Sequence, residues 1–193
     1  MILSTRFQDA LTYAAELHKE QLRKGSDVPY VAHLLAVASI ALQQGASENE
    51  AIAALLHDAV EDQGGAATRE EIRKRFGEEV ALIVDGCTDT DVTPKPPWRQ
   101  RKEAYIRHVR DASESVRLVS ASDKVDNARA ILRDYRQHGE QVWDRFKGGK
   151  AGILWYYRSL IEAFTAAGTN PLVEELDRIV SEIERMAAAP NDL

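Results

Sequence analysis

The run Ala54-Leu55-Leu56-His57-Asp58-Ala59-Val60-Glu61-Asp62 constrains this chain more than any other stretch. It begins as an apolar helical segment and then turns ionisable, at a place where a buried helix would carry on with Ala and Leu. Unpaired carboxylates and imidazoles near a core are expensive, so such groups are normally hydrogen-bonded, paired or bound to a metal. His57 and Asp58 therefore read as metal ligands, and Glu61 and Asp62 as an acid-base pair beside them. Adjacent residues on an ideal helix point about 100° apart, so the doublet can share one cation only near a helix end or through a favourable rotamer. Taken alone, a His-Asp doublet is more often a satisfied core histidine beside a polar helix end; its company is what favours the metal.

A doublet cannot fill a coordination sphere, so the reading demands further donors. His33, in Tyr30-Val31-Ala32-His33, opens one apolar stretch, and Asp123, in Val119-Ser120-Ala121-Ser122-Asp123, closes another. Two imidazoles and two carboxylates without a thiolate suit Mn, Fe or Mg, with water completing an octahedron. A closed structural zinc site draws on several cysteines, and this chain has only Cys87.

Around that stretch nearly every segment repeats apolar residues three and four apart, the helical period. The spacing predicts a helix from Thr5 to about Arg23, a break at Gly25–Pro29, a helix from Tyr30 to Gln44 stopped by Gly45, and a capping box at Ser47-Glu48-Asn49-Glu50 opening the helix that delivers His57. A second capping box is expected at Thr68-Arg69-Glu70-Glu71. Asp85 to Pro97 has the richest loop composition, and Trp98 to Arg110 reads as a basic amphipathic helix. Ser113 or Ser115 caps a helix to Gln137, Gln141 to Phe146 is a short aromatic helix, and Ala151 to Ala167 is a long one. Asn170-Pro171 opens a last helix ending near Ala189. The expectation is an all-α chain of roughly nine or ten helices in one domain, 1–193, with its core at about 5–167 and a C-terminal helix at about 170–189.

Charge and composition narrow the partners. A formal charge of −6 argues against broad affinity for nucleic acid or anionic lipid, which basic excess holds. Residues 1–20 carry Arg6, Asp9, Glu16 and Lys19 and so lack a signal-peptide core, and no window approaches the roughly 20 apolar residues that span a bilayer. A single cysteine fits a reducing, cytoplasmic setting. A small anionic ligand remains compatible if cations are local, and a homodimer is left open.

Taken in order, His33, His57-Asp58 and Asp123 resemble the ligand pattern of the HD-domain metal-dependent phosphohydrolases. Gln21-Leu22-Arg23-Lys24-Gly25 with Pro29-Tyr30, His57 to Asp62, and Ser122-Asp123-Lys124-Val125-Asp126-Asn127-Ala128-Arg129 are similar to the hydrolase domain of RelA/SpoT proteins. Trp98 to Tyr105 and Leu154-Trp155-Tyr156-Tyr157 resemble its stand-alone relatives, the small alarmone hydrolases. The likeness runs over about residues 7–165. Leu34 stands where a proline is common, Asp126 where a histidine is frequent, and no synthetase domain follows, which implies hydrolysis without synthesis.

The resemblance implies an HD-type helical bundle that removes pyrophosphate from the 3′ position of guanosine 3′-diphosphate 5′-diphosphate, or of the pentaphosphate, giving GDP or GTP. It implies one Mn2+ per chain on His33, His57, Asp58 and Asp123, with Glu61 and Asp62 moving protons. Arg23 is expected against the base and Lys24 against a phosphate, with Lys124 and Asn127 following Asp123, and Arg101 or Lys102 on the 5′-diphosphate. Two-metal members need extra histidines between the doublet and the last Asp, where only His108 lies. His18 is expected to be a half-buried packing residue, and His108 and His138 to be on the surface. Two other readings stay open: an HD hydrolase of another nucleotide, such as an adenosine analogue or a 3′-phosphorylated dinucleotide cofactor, and a nucleotide sensor with a degenerate site.

Overall fold

The computed structural model describes residues 2–90 and 94–188. Among them are ten α-helices: α1 (Thr5–Leu17), α2 (Val31–Gln43), α3 (Glu48–Leu56), α4 (Ala59–Asp62), α5 (Ala66–Phe76), α6 (Glu78–Cys87), α7 (Trp98–Asp111), α8 (Glu114–His138), α9 (Gly149–Ala167) and α10 (Pro171–Ala188). A 3-10 helix, Gly139–Arg145, precedes α9. No strand occurs among the described residues, only one antiparallel bridge between Leu22 and Pro29. The all-α expectation holds. No helix there is long and apolar enough to cross a membrane.

The residues fall into two compact units, 1–96 with 112–123, and 97–111 with 124–193. In the first, α3 is central, packing against α1, α2 and α6. Its residues Ala51 to Leu56 are all fully buried. Ile52, Leu55 and Leu56 each contribute roughly 1.5–3 kcal/mol by leaving water. The helix starts where the capping box predicts: Ser47 Oγ accepts from Glu50 N at 3.3 Å, and Ser47 N donates to Glu50 Oε2 at 2.7 Å. α2 ends at Gln43, and Gly45 follows with φ +85°, a conformation that costs glycine nothing.

Two boundaries depart from the periodicity. α1 stops at Leu17 rather than Arg23, because His18 N closes on Ala14 O and the next residues take partners beyond the helix. Tyr30 N donates to Gln21 O at 2.9 Å and Arg23 N to Val28 O at 2.8 Å, so residues 21–30 form a hairpin-like loop. α5 opens at Ala66 behind Gly65, not at Thr68, whose hydroxyl instead donates to the Gln63 carbonyl. The expected loop starts later than Asp85, since α6 runs to Cys87, and its Asp91–Thr93 lie outside the described residues, as does Ala189.

In the second unit α9 packs against both α7 and α10. Trp98 lies on α9's start, where a Cβ on Gly148 would stand 2.6 Å from the indole and one on Gly152 3.2 Å. α10 is held by a buried stripe of Leu172, Val173, Leu176, Val180 and Ile183. Its cap is the expected one, Asn170 Oδ1 accepting from Leu172 N and Val173 N at 3.0 Å each. Arg158 on α9 ties the other face down through Asp177, Ser181 and Glu184.

Candidate metal centre and the residues around it

α3 ends at Leu56 and α4 begins at Ala59, so His57 and Asp58 occupy the break between two helices. That is the helix end the doublet requires, and it lets neighbouring side chains converge instead of diverging by 100°. His33 comes from the first turn of α2 and Asp123 from the middle of α8. His33, His57 and Asp123 are buried and Asp58 partly so. His57 Nε2 is 3.0 Å from Asp58 Oδ2 and 3.7 Å from Asp123 Oδ1; His33 Nε2 is 3.2 Å from Asp123 Oδ1 and 3.7 Å from Asp58 Oδ2. His33, His57 and Asp58 each offer one donor atom within 4.8 Å of the others.

His57 Nδ1 is 2.8 Å from the Ala54 carbonyl, so it must donate there. In the neutral ring that leaves the Nε2 lone pair facing two carboxylates, without hydrogen-bond geometry to either. Lone pairs turned on one another at 3.0–3.7 Å repel unless positive charge lies among them. The proton affinity of the cluster expresses the same demand. Burial of the His57 ring works against its charged form, yet Asp58 and Asp123 outweigh it and push the pKa well above the ordinary value. For Asp58 burial raises the pKa, and the His57 charge overrides it and brings it well below the usual carboxylate range.

A divalent cation answers that demand as well as a proton does. Donors held at about 2.1 Å from one ion stand roughly 3.0–3.4 Å from their neighbours in octahedral or tetrahedral arrangement. Two of the four imidazole-to-carboxylate separations, 3.0 and 3.2 Å, fall in that range, and the other two, at 3.7 Å, lie just beyond it. The second ring nitrogen of His57 is fixed by a backbone carbonyl, the usual way of orienting a ligating imidazole.

Glu61 and Asp62 project from α4 into different company. Lys95 Nζ lies 2.8 Å from Glu61 Oε1. Gln21 Nε2 donates to Asp62 Oδ2 at 2.8 Å. The Asp62 carboxyl, crowded by protein and facing the Asp58 carboxylate, is pushed up to about 6, with Gln21 pulling the other way. Its solvent-exposed edge tempers the first of these causes. Tyr30 donates its hydroxyl to Asp58 Oδ2 at 2.5 Å, and burial, then Asp58, holds that phenol far above its ordinary pKa.

The predicted substrate contacts are placed as follows. Arg23 and Lys24 sit on the 21–30 loop, not on a helix end, with the Arg23 guanidinium 5.9 Å from the Tyr30 ring centre. Lys124 and Asn127 follow Asp123 along α8 but belong to the second unit, where Lys124 Nζ lies 5.1 Å from the Tyr105 ring centre. Arg101 and Lys102 are on α7, Lys102 Nζ lying 4.9 Å from the Tyr156 ring centre. Tyr156 and Tyr157 are core residues and Trp155 is half-buried, while His108 and His138 are exposed, as expected. His18 is not half-buried: it is 2% exposed, stacked on Tyr30 at 5.2 Å and hydrogen-bonded to Gln21. Sequence reasoning gave no role to Gln21, Tyr30, Gln63 or Lys95. Gln21 and Tyr30 entered only as members of the segment around Arg23-Lys24 that resembles the RelA/SpoT hydrolase domain.

An all-helical unit that brings a histidine, a His-Asp doublet and a distant aspartate to one point defines the HD-domain class. The HD domain family matches residues 10–154. This chain belongs to that family. A Xenopus tropicalis protein named guanosine-3′,5′-bis(diphosphate) 3′-pyrophosphohydrolase MESH1 is 40% identical over 170 residues, covering 86% of this chain and 87% of that protein. A pyrophosphohydrolase of the same guanosine name from Aquifex aeolicus is 38% identical over 127 residues, covering 64% of this chain and only 17% of its own length. Among solved structures, a metazoan SpoT ortholog described as hydrolysing ppGpp superimposes with a TM-score of 0.78 at 28% identity, covering 95% of this chain and 98% of that one.

Proposed function

We infer that this chain is a metal-dependent hydrolase that removes pyrophosphate from the 3′ position of guanosine 3′,5′-bis(diphosphate). The convergence of four imidazole and carboxylate donors beside a second pair of acidic side chains carries this reading, and the names of the relatives supply the substrate. We propose His33, His57, Asp58 and Asp123 as the ligands, Mn2+ as the cation, one per chain, and 1–193 as a single hydrolase domain. The single cysteine favours a cytoplasmic enzyme.

A cation held there supplies Lewis-acid polarisation of phosphate and acidification of water. The chain's own groups do the rest. Asp62, near neutrality in its proton affinity, is suited to take a proton from the attacking water and return it to the leaving oxygen. Glu61, held by Lys95, is proposed to orient water on the same side. Arg23 and Lys24 present positive charge from the 21–30 loop, and Lys124, Asn127, Arg101 and Lys102 are proposed as further substrate contacts on the resemblance alone. The test is to incubate the protein with Mn2+ and guanosine 3′,5′-bis(diphosphate) and follow pyrophosphate. Release that disappears in Glu61→Ala while metal binding persists supports the assignment; release undiminished in His57→Ala removes it.

A further inference from the structure

One amide joins the proposed proton-transfer carboxylate to a buried histidine. Gln21 Nε2 donates to Asp62 Oδ2 at 2.8 Å, while its Oε1 lies 2.7 Å from His18 Nδ1 and 2.6 Å from Gln63 Nε2. Only one amide orientation satisfies all three neighbours. A carboxylate accepts and cannot donate, so the NH2 of Gln21 faces Asp62 and the carbonyl faces the other two. Both of those must then donate, which fixes His18 as the Nδ1–H tautomer. The opposite orientation sets oxygen against oxygen at Asp62.

The surroundings hold this amide still. The Gln21 backbone is bonded on both sides, its N–H to His18 O at 3.0 Å and its carbonyl to Tyr30 N at 2.9 Å. His18 is 2% exposed and clamped against Tyr30 with an interplanar angle of 18°. Its Nε2 is buried without a hydrogen-bond partner among the described residues. Packing alone is served better by an apolar ring, which leaves no such atom bare. The imidazole is explained by what its other nitrogen does.

We propose that Gln21 is a positioning residue that aims the Asp62 carboxylate, and that His18 sets the face of the amide turned towards it. The inference rests on the assignment of Asp62 to proton transfer. A carboxylate held by one fixed donor keeps its second oxygen free for the reaction, and losing that donor costs alignment of the transferring oxygen rather than affinity for metal or substrate.

Steady-state hydrolysis with Mn2+ and guanosine 3′,5′-bis(diphosphate) separates this from a merely structural role. Gln21→Ala and Gln21→Glu are expected to lower kcat by roughly ten- to a hundredfold, with KM and the Mn2+ affinity within about twofold of wild type. His18→Phe shares the loss. His18→Asn recovers most of it, because the Asn amide nitrogen stands where Nδ1 stood. A wild-type kcat in Gln21→Ala, a change confined to KM, or His18→Asn as defective as His18→Phe overturns the proposal. Gln21 is partly exposed, so its variants carry the test if His18→Phe fails to fold. Nitrogen NMR of the His18 ring gives a readout independent of turnover: Nδ1–H in the wild type, with that preference lost in Gln21→Ala. An Nε2–H tautomer in the wild type overturns the proposal even if hydrolysis occurs. A wild type that cleaves nothing refutes the functional reading, while the ring nitrogens still decide the geometry.

Discussion

Among the described residues, the buried polar side chains His18, His33, His57, Thr68, Ser120, Ser122 and Asp123 all belong to the first unit. The second unit buries Trp143, Tyr156, Tyr157 and Phe164 and keeps its charges at the edge, where Arg158 and Lys150 hold carboxylates. Burying imidazole and carboxylate costs stability unless something compensates, whereas burying aromatic surface yields it directly. One unit therefore carries a polar load, relieved by hydrogen bonds at Thr68, Ser122 and His18 and calling for positive charge among His33, His57, Asp58 and Asp123, and the other is built for cohesion. Mutations at the buried polar cluster of the first unit should cost activity, and mutations in the aromatic core of the second should cost stability.

The strongest test removes the compensating charge. His57→Ala, Asp123→Ala or a chelator should lower kcat/KM about a thousandfold or more, the several kcal/mol a catalytic cation supplies. Adding the cation back to wild type should raise the melting midpoint, by about 2.7 kcal/mol of linkage at a hundred times its Kd, and this gain should vanish in both variants. Next, Glu61→Gln and Asp62→Asn should each reduce kcat by about a hundredfold or more while calorimetry still finds the metal bound. The converse comes from the second unit: Phe164→Ala, at a position 2% exposed, should cost about 3–5 kcal/mol in urea unfolding yet leave kcat near wild type below the melting range. Ser47→Ala removes the capping box of α3 and should cost about 1 kcal/mol, read as a shift in the urea midpoint.

The smallest effect is a pH dependence. The Lys150 ammonium, then the Tyr135 hydroxyl, holds the Glu140 carboxyl below its ordinary pKa. With the folded pKa depressed, the stabilisation is present above the unfolded value and fades as pH falls through the folded one. The stability difference between wild type and Glu140→Gln should therefore be measurable at pH 7 and close at acid pH; a difference unchanged down to pH 3 contradicts it.

Much of the first unit was legible because its signals are local. An apolar run turning abruptly polar placed His57 and Asp58 at a helix end, and Ser47-x-x-Glu50 marked the start of the same helix. Asn170 announced its cap in the same way. What escaped was set by contacts distant in sequence. Lys19, Glu20 and Gln21 are good helix formers, and nothing in their periodicity shows that the backbone will leave α1 to pair with residues 28–30. Gln21 meets Asp62 across 41 positions, a match no spacing rule contains. Thr68 carried the letters of a cap but spends its hydroxyl on Gln63, because Gly65 had already begun α5.

The loop closed by Gln21 and Tyr30 is anchored at its base, where one residue grips Asp62 and the other Asp58, while Arg23 and Lys24 ride between them. Its rim is thus an exchangeable cassette on a fixed socket. On the proposed assignment, substitutions in 22–28 should retune which nucleotide is admitted while leaving the proposed proton-transfer and metal-binding side chains in place, so that selectivity can diversify around a fixed chemistry.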